Sequence, residues 1–213
     1  MQAELRWLTG VLGQARDIDV LLLKTEPGTL QDHLLQAGDK AYGEVASALS
    51  SARARGLLLD LAEWLAIGAW LEAPERQDAR DLPASDFAEQ ALSKLRKRVK
   101  KRGASFATLS DEKRHRLRKA AKRLRYGAEF FASLFPGKKH ERRCRSFTAS
   151  LETLQDDLGE LNDLATAPHL FARLGLQKLQ GADTLLTHRK TSRIMAASQE
   201  ALSDLMDHKR FWS

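Results

Sequence analysis

Apolar residues along the chain recur every three or four positions, the period of a helix with one face turned to a core. Leu5, Leu8 and Leu12 form one such row, and Leu151, Leu154, Leu158 and Leu161 another. No run alternates strictly between apolar and polar positions, so no strand is predicted. The pattern is interrupted at Pro27-Gly28, between Pro74 and Pro83, near Gly103, at Pro136-Gly137, at Pro168 and at Gly181. Between these breaks it predicts about eight helices: 2–23, 29–51, 52–72, 85–102, 110–135, 138–165, 168–180 and 182–208. Ser85 and Ser110 stand where N-caps belong, and Asp111 and Glu112 follow Ser110 in the first turn. The stretch 73–84 alone reads as a linker. The most apolar window, Gly56 to Leu71, holds Asp60 and Glu63 and is too short to span a bilayer comfortably. It is expected to be a buried helix, and no membrane span is expected.

A faint internal repeat accompanies the periodicity. Leu5, Leu8, Leu12, Gly13 and Asp17 align with Leu151, Leu154, Leu158, Gly159 and Asp163. Leu-Gly followed by Asp at the same spacing in both copies is the informative part. A repeat of this size predicts two similar helical bundles.

Composition narrows the class further. A chain of 213 residues, 43% hydrophobic, can bury a sizeable core in one or two domains. Its 13 Gly and 5 Pro weigh against a loop-rich β fold. One cysteine, Cys144, excludes an intramolecular disulfide and any multi-cysteine zinc site. The N-terminal residues lack the basic-then-apolar order of a signal peptide, and a cytoplasmic location is expected.

Charge changes the picture most. The formal net charge is +7, but Lys94 to Arg145 carries 20 Lys/Arg against 4 Asp/Glu, a local +16, and the remainder is −9. Such concentration suggests a polyanionic partner: nucleic acid, an acidic membrane or a phosphate polymer. Within it, the segment His115–Phe135 sorts cleanly on a helical wheel. Leu117, Ala120, Ala121, Leu124, Ala128 and Phe131 share the core side, while His115, Arg118, Lys122 and Arg125 fall in an opposing band about 80° wide. Like charges three and four residues apart repel by about 0.2–0.5 kcal/mol per pair. An anion would relieve them, and four cations along ~15 Å of helix suit an extended one. Arg offers phosphate a planar fork and Lys a point charge. Lys119 flanks the band. Arg98 lies on the polar side of the preceding helix with Lys94 and Lys101, and Arg16, beside Asp17, is a further candidate contact. Lys138, Lys139, Arg142 and Arg143 read as a general field.

These residues resemble the CHAD domain, the conserved-histidine α-helical domain. In that family a His, an Arg three residues on, a basic residue four further and an Arg three further recur twice, each time ahead of a Leu-Gly…Asp helix. His115, Arg118, Lys122 and Arg125 match the second such unit, continued by Tyr126 and Glu129. Leu5–Leu21 is similar to the family's Leu-Gly helix, with Arg16, Asp17 and Asp19 in place, and the terminal KRFWS matches its usual end. The resemblance covers essentially the whole chain. It implies an all-α fold of two pseudo-symmetric helical bundles, a partial first bundle over 1–72 and a second over 85–213, within one domain spanning 1–213. It also implies a non-catalytic module that binds inorganic polyphosphate in a basic cleft, associated in some members with polyphosphate granules. The implied phosphate-binding residues are Arg6, Arg16, Arg98, His115, Arg118, Lys119, Lys122 and Arg125. His115 precedes Leu158 by 43 residues. The same spacing from Leu12 puts the first unit's His ahead of position 1, so the first helix of the first bundle is expected to be missing and its face closed by a partner subunit or a second copy.

Other chemistry is poorly supported by sequence. Asp17 and Asp19, two apart, point to different sides of a helix. His140 and Cys144 share a face but lack further ligands, so no metal is expected. No phosphate-cradling Gly-rich loop, zinc-protease motif or nucleophile elbow occurs, so neither a catalytic residue nor a cofactor is assigned. Two rival readings stand beside polyphosphate binding: an accessory domain of a CYTH-type triphosphatase system, and a sequence-independent nucleic-acid binder. The aromatics of the basic region, most at core angles on the wheel, weigh against base stacking.

Overall fold

The computed structural model describes residues 1–74, 77–179, 182 and 191–212. Its helices are α1 (Gln2–Leu22), α2 (Thr29–Ser50), α3 (Ala52–Ile67), α4 (Gln77–Asp81), α5 (Ala84–Gly103), α6 (Asp111–Phe131), α7 (Lys138–Leu174) and α8 (Thr191–Asp207), with no strand among the described residues. The predicted helices at 2–23, 29–51, 85–102 and 110–135 agree with α1, α2, α5 and α6 closely at their starts. The helix expected from 52 to 72 stops at Ile67 and gives way to a 3₁₀ turn at Ala69–Leu71. Most of the expected start of the last helix, and the break at Gly181, lie outside the described residues, as does Ser213.

The capping signals divide. Ser110 caps α6, its hydroxyl accepting from the Lys113 N–H at 3.4 Å. Ser85 is not a cap: α5 begins directly after Pro83, which leaves Ser85 inside the first turn with its hydroxyl donating to Asp86. Ser51 caps α3 by accepting from the Ala54 N–H.

The larger departure is at Pro168. The expected break does not occur, and α7 runs through it as a single helix of 37 residues. Proline's fixed φ is compatible with a helix; its penalty is a lost hydrogen bond and a clash with the carbonyl four residues back. Burial on both sides offsets that penalty. Leu158 and Leu161 are core residues before the proline, and Leu170 and Phe171 after it, in two separate clusters. The helix ends at Gly175, which takes φ 70°, while the Leu176 N–H closes back on the Phe171 carbonyl.

The chain forms two compact units, Met1–Gln77 with Thr166–Thr187, and Asp78–Ala165 with His188–Ser213. Their boundary near residue 77 falls within the predicted linker. The segment 166–187, expected within a second bundle over 85–213, goes with the first unit, because α7 carries its last two turns there.

In the first unit, Ala15, Ile18 and Leu21 of α1 pack with Leu30, Leu34 and Ala41 of α2 and with Ala167, Leu170 and Phe171 from α7. α3 is not the buried helix its sequence predicts. Ala54 and Leu57 are buried, but Leu58, Leu59, Leu65 and Ile67 are exposed. Apolar residues surround this helix, and α1 and α2 cover one side of it.

In the second unit the predicted wheel holds. Leu117, Ala120, Ala121, Leu124 and Ala128 are buried against Leu151, Leu154, Leu158 and Leu161 of α7 and Leu92 and Val99 of α5, with Phe131 partly buried beside them. Phe211 and Trp212 plug this core against Phe147 in edge-on contacts. The Trp212 indole donates to Ser93 Oγ at 3.0 Å.

The repeat separates the units by burial. Leu151 and Leu158 are 0% and 1% exposed under α6, whereas their counterparts Leu5 and Leu12 are 39% and 41% exposed. Arg118 of α6 lies against Gly159, while nothing approaches the matching Gly13. Among the described residues nothing covers Leu5, Leu12 and Gly13 as α6 covers Leu151, Leu158 and Gly159.

Candidate functional site

α6 is held by its apolar face, which fixes the azimuth of its basic band. The band does not point straight to solvent. His115, Arg118, Lys122 and Arg125 are all half-buried, whereas Arg116, Lys119 and Arg123 are exposed. The reason is α7, which runs alongside. His115 Nδ1 meets Asn162 Oδ1 at 2.6 Å. Arg118 sits over Gly159, its Nε 3.7 Å from where a Cβ would stand. Arg125 reaches Glu152 at 3.4 Å and Glu129, one turn on in α6, at 2.8 Å. Rising numbers on α6 meet falling numbers on α7, so the band lines the shoulder of an antiparallel seam.

Each partner has a distinct effect. Asn162 fixes the orientation of the His115 ring. The absent side chain at Gly159 leaves room for the Arg118 guanidinium. Glu129, mainly through its hydrogen bond, raises the Arg125 pKa further above its ordinary value, with Glu152 adding charge. Arg125 is thus already paired, which the sequence reading did not anticipate. Lys122 has no carboxylate partner in the described structure; its Nζ lies 5.6 Å from the Tyr126 ring centroid.

The solvent-facing flank of the band carries aromatics that the wheel had discounted. Phe106 and Phe147 are buried as expected, but Tyr126 and Phe130 are exposed, Phe130 by 77%. They follow the exposed Lys119 and Arg123 along α6.

The remaining candidates fall elsewhere. Arg98 is half-buried on α5, and no hydrogen bond or ion pair ties it to α6. Arg6 and Arg16 are exposed on α1 in the first unit. His140 is engaged by the Phe211 carbonyl, and burial pushes the Cys144 thiol pKa up. Among the described residues no three His, Cys, Asp or Glu side chains gather as a metal site. None of the helices there is long and apolar enough to cross a membrane.

Glu152 and Asn162 were missed from sequence. With Gly159 they share one face of α7 at seven- and three-residue spacing, which singles them out only once α7 is known to lie beside the band.

Comparison with known proteins adds three findings. The family model described as the CHAD domain matches residues 1–172. A solved structure, the crystal structure of the CHAD domain from the plant Ricinus communis, superposes with a TM-score of 0.74 at 30% identity, covering 95% of this chain and 71% of that one. No curated protein matches.

Proposed function

Given that the chain belongs to the CHAD domain family, we propose that it is a non-catalytic module binding inorganic polyphosphate along the α6 band of the second unit. One observation carries this reading: four side chains able to bear positive charge stand in a row on one shoulder of α6, all half-buried, three of them, His115, Arg118 and Arg125, set against α7. Half-burial reduces the conformational freedom each side chain loses on binding, and it lowers the local dielectric, strengthening charge-assisted contacts with phosphate. A linear polymer of identical charged units fits a row of cations that reads charge and spacing. Lys119 extends the row on its exposed side. Arg6, Arg16 and Arg98 remain candidate contacts from other elements.

A second reading, a single-stranded nucleic-acid binder, is favoured by exposed Tyr126 and Phe130 beside the band, since bases stack on such rings. Competition separates the two. Labelled long-chain polyphosphate is bound to the protein at fixed salt and challenged with unlabelled polyphosphate, single-stranded DNA and duplex DNA. The proposal expects polyphosphate to displace at far lower phosphate concentration than either DNA. Equal displacement by single strands, lost on Tyr126→Ala, would establish the second reading. Release of inorganic phosphate during incubation would contradict a purely binding role.

A further inference from the structure

Basic side chains outside the α6 band were read from sequence as a diffuse field. The structure gathers several of them around one cavity. Lys139, Arg142, Arg143 and Ser146 come from the first turns of α7, and His208 and Lys209 from the segment after α8; together they line a volume of about 550 Å³. No carboxylate is among them, and among the described residues none of these Lys or Arg side chains forms an ion pair.

Part of the cavity wall is fixed by hydrogen bonds between α7 and the terminal segment. His208 is held through Nε2 by Ser150 Oγ at 2.7 Å. Arg143 donates to the Arg210 carbonyl, and His140 engages the Phe211 carbonyl. Phe211 and Trp212 are buried just beyond, so the terminal segment is anchored on α7 by the core itself. Four side chains of the same charge thereby border a common space, Arg143 half-buried and Lys139, Arg142 and Lys209 exposed, with no carboxylate in the lining. That arrangement is costly for a fold by itself and is relieved by a bound anion. Nine residues of helix separate Arg143 from Glu152 at the band, roughly 14 Å, and no band residue lines the cavity.

We propose that this cavity is a second anion site, for a compact oligophosphate carrying several negative charges. Its volume of about 550 Å³ admits a few phosphate groups. Arg142 and Arg143 supply guanidinium forks, Lys139 and Lys209 point charges, and Ser146 a hydroxyl. The occupant is either a free short oligophosphate or the end of a longer chain, and the two share this chemistry.

The test is titration calorimetry with sodium tripolyphosphate on the full chain at one salt concentration, with Arg142→Ala/Lys209→Ala and the charge-matched Lys94→Ala/Lys97→Ala, at two exposed positions on α5 outside the cavity and the band, as variants. The expected result is a saturable site weakened at least 10-fold in the cavity variant and within twofold of wild type in the α5 variant. Ser146→Asp, at an exposed position, puts a negative charge into the cavity without removing a packed side chain and is expected to weaken tripolyphosphate equally. Far-UV circular dichroism confirms that each variant is folded. If the cavity variant also loses affinity for long-chain polyphosphate, the occupant is a chain end; if long-chain affinity is retained, it is a free oligophosphate. No saturable tripolyphosphate binding, or equal losses in the cavity and α5 variants, would overturn the proposal while leaving the α6 reading to its own test.

Discussion

The pairing of Arg125 with Glu129 and Glu152 makes a prediction that runs against ordinary expectation: removing a salt bridge should improve binding. Glu152 is exposed and its oxygen stands 3.4 Å from the Arg125 guanidinium. An incoming phosphate must compete for that guanidinium and approach two carboxylates as it does so. Replacing Glu152 by Gln deletes one of these charges. At about 6 Å in a water-like dielectric, each phosphate next to it is relieved of ~0.7 kcal/mol, roughly a threefold gain in affinity. Partial burial of Arg125 pushes the figure up and salt pushes it down. Loss of the exposed pair costs about 0–1 kcal/mol of stability, so the variant folds. Glu152→Gln is expected to tighten polyphosphate about threefold, and Glu129→Gln/Glu152→Gln about tenfold, measured by anisotropy of labelled polymer at ~0.1 M salt. The same substitution in an Arg125→Ala background isolates the guanidinium's share. A weaker Glu152→Gln complex, or an identical gain without Arg125, would refute the idea that Arg125 is a contact held in check by its carboxylates.

Three further outcomes follow from the second unit. Trp212→Ala empties a buried position and orphans Ser93, and should cost about 3–5 kcal/mol, read as a lower urea midpoint; a loss below ~1 kcal/mol would mean the terminal plug is dispensable. Asp157 has a carboxylate oxygen buried without a partner, and burial together with Glu160 and Asp156 raises its pKa. The folded chain therefore binds this proton more tightly than the unfolded one, and the penalty is present in full above the raised folded value and vanishes as pH falls through it towards the ordinary 3.8. Asp157→Asn should accordingly raise Tm at pH 7, by about 2–4 °C per kcal/mol recovered, and leave it unchanged near pH 3; destabilisation at pH 7 would show that the charge has a partner after all. Polyphosphate affinity should fall with salt, log Kd against log salt having a slope near 3 for four contacts by analogy with single strands, and Lys122→Ala should lower that slope by about 0.7; a salt-independent affinity would contradict an ionic site.

What could be read from sequence follows the physics of each signal. The α6 face was legible because small and branched residues at helical spacing can face one way only, and the band opposite follows by geometry. The boundary near residue 77 was legible from a proline-bounded stretch. Pro168 misled because a helix tolerates proline when burial on both sides compensates, and those partners are distant in sequence. The row Leu5, Leu8, Leu12 looks like Leu151, Leu154, Leu158, yet their burial differs, since exposure depends on whether another helix lies over them. The partners of the band, Glu152, Gly159 and Asn162, and the cavity joining α7 to the terminal segment arise from pairings 25 to 70 residues apart, which no local pattern encodes.

The central claim is that the half-buried band, rather than the general positive field, holds the polymer. The most direct measurement compares two charge-matched double variants in one polyphosphate titration: Arg118→Ala/Lys122→Ala in the band, and Lys94→Ala/Lys97→Ala, two exposed positions on α5. Charged hydrogen bonds of about 1.5–3 kcal/mol each predict at least a ~100-fold loss for the band pair and a few-fold loss for the α5 pair. Equal losses in the two variants would contradict the account.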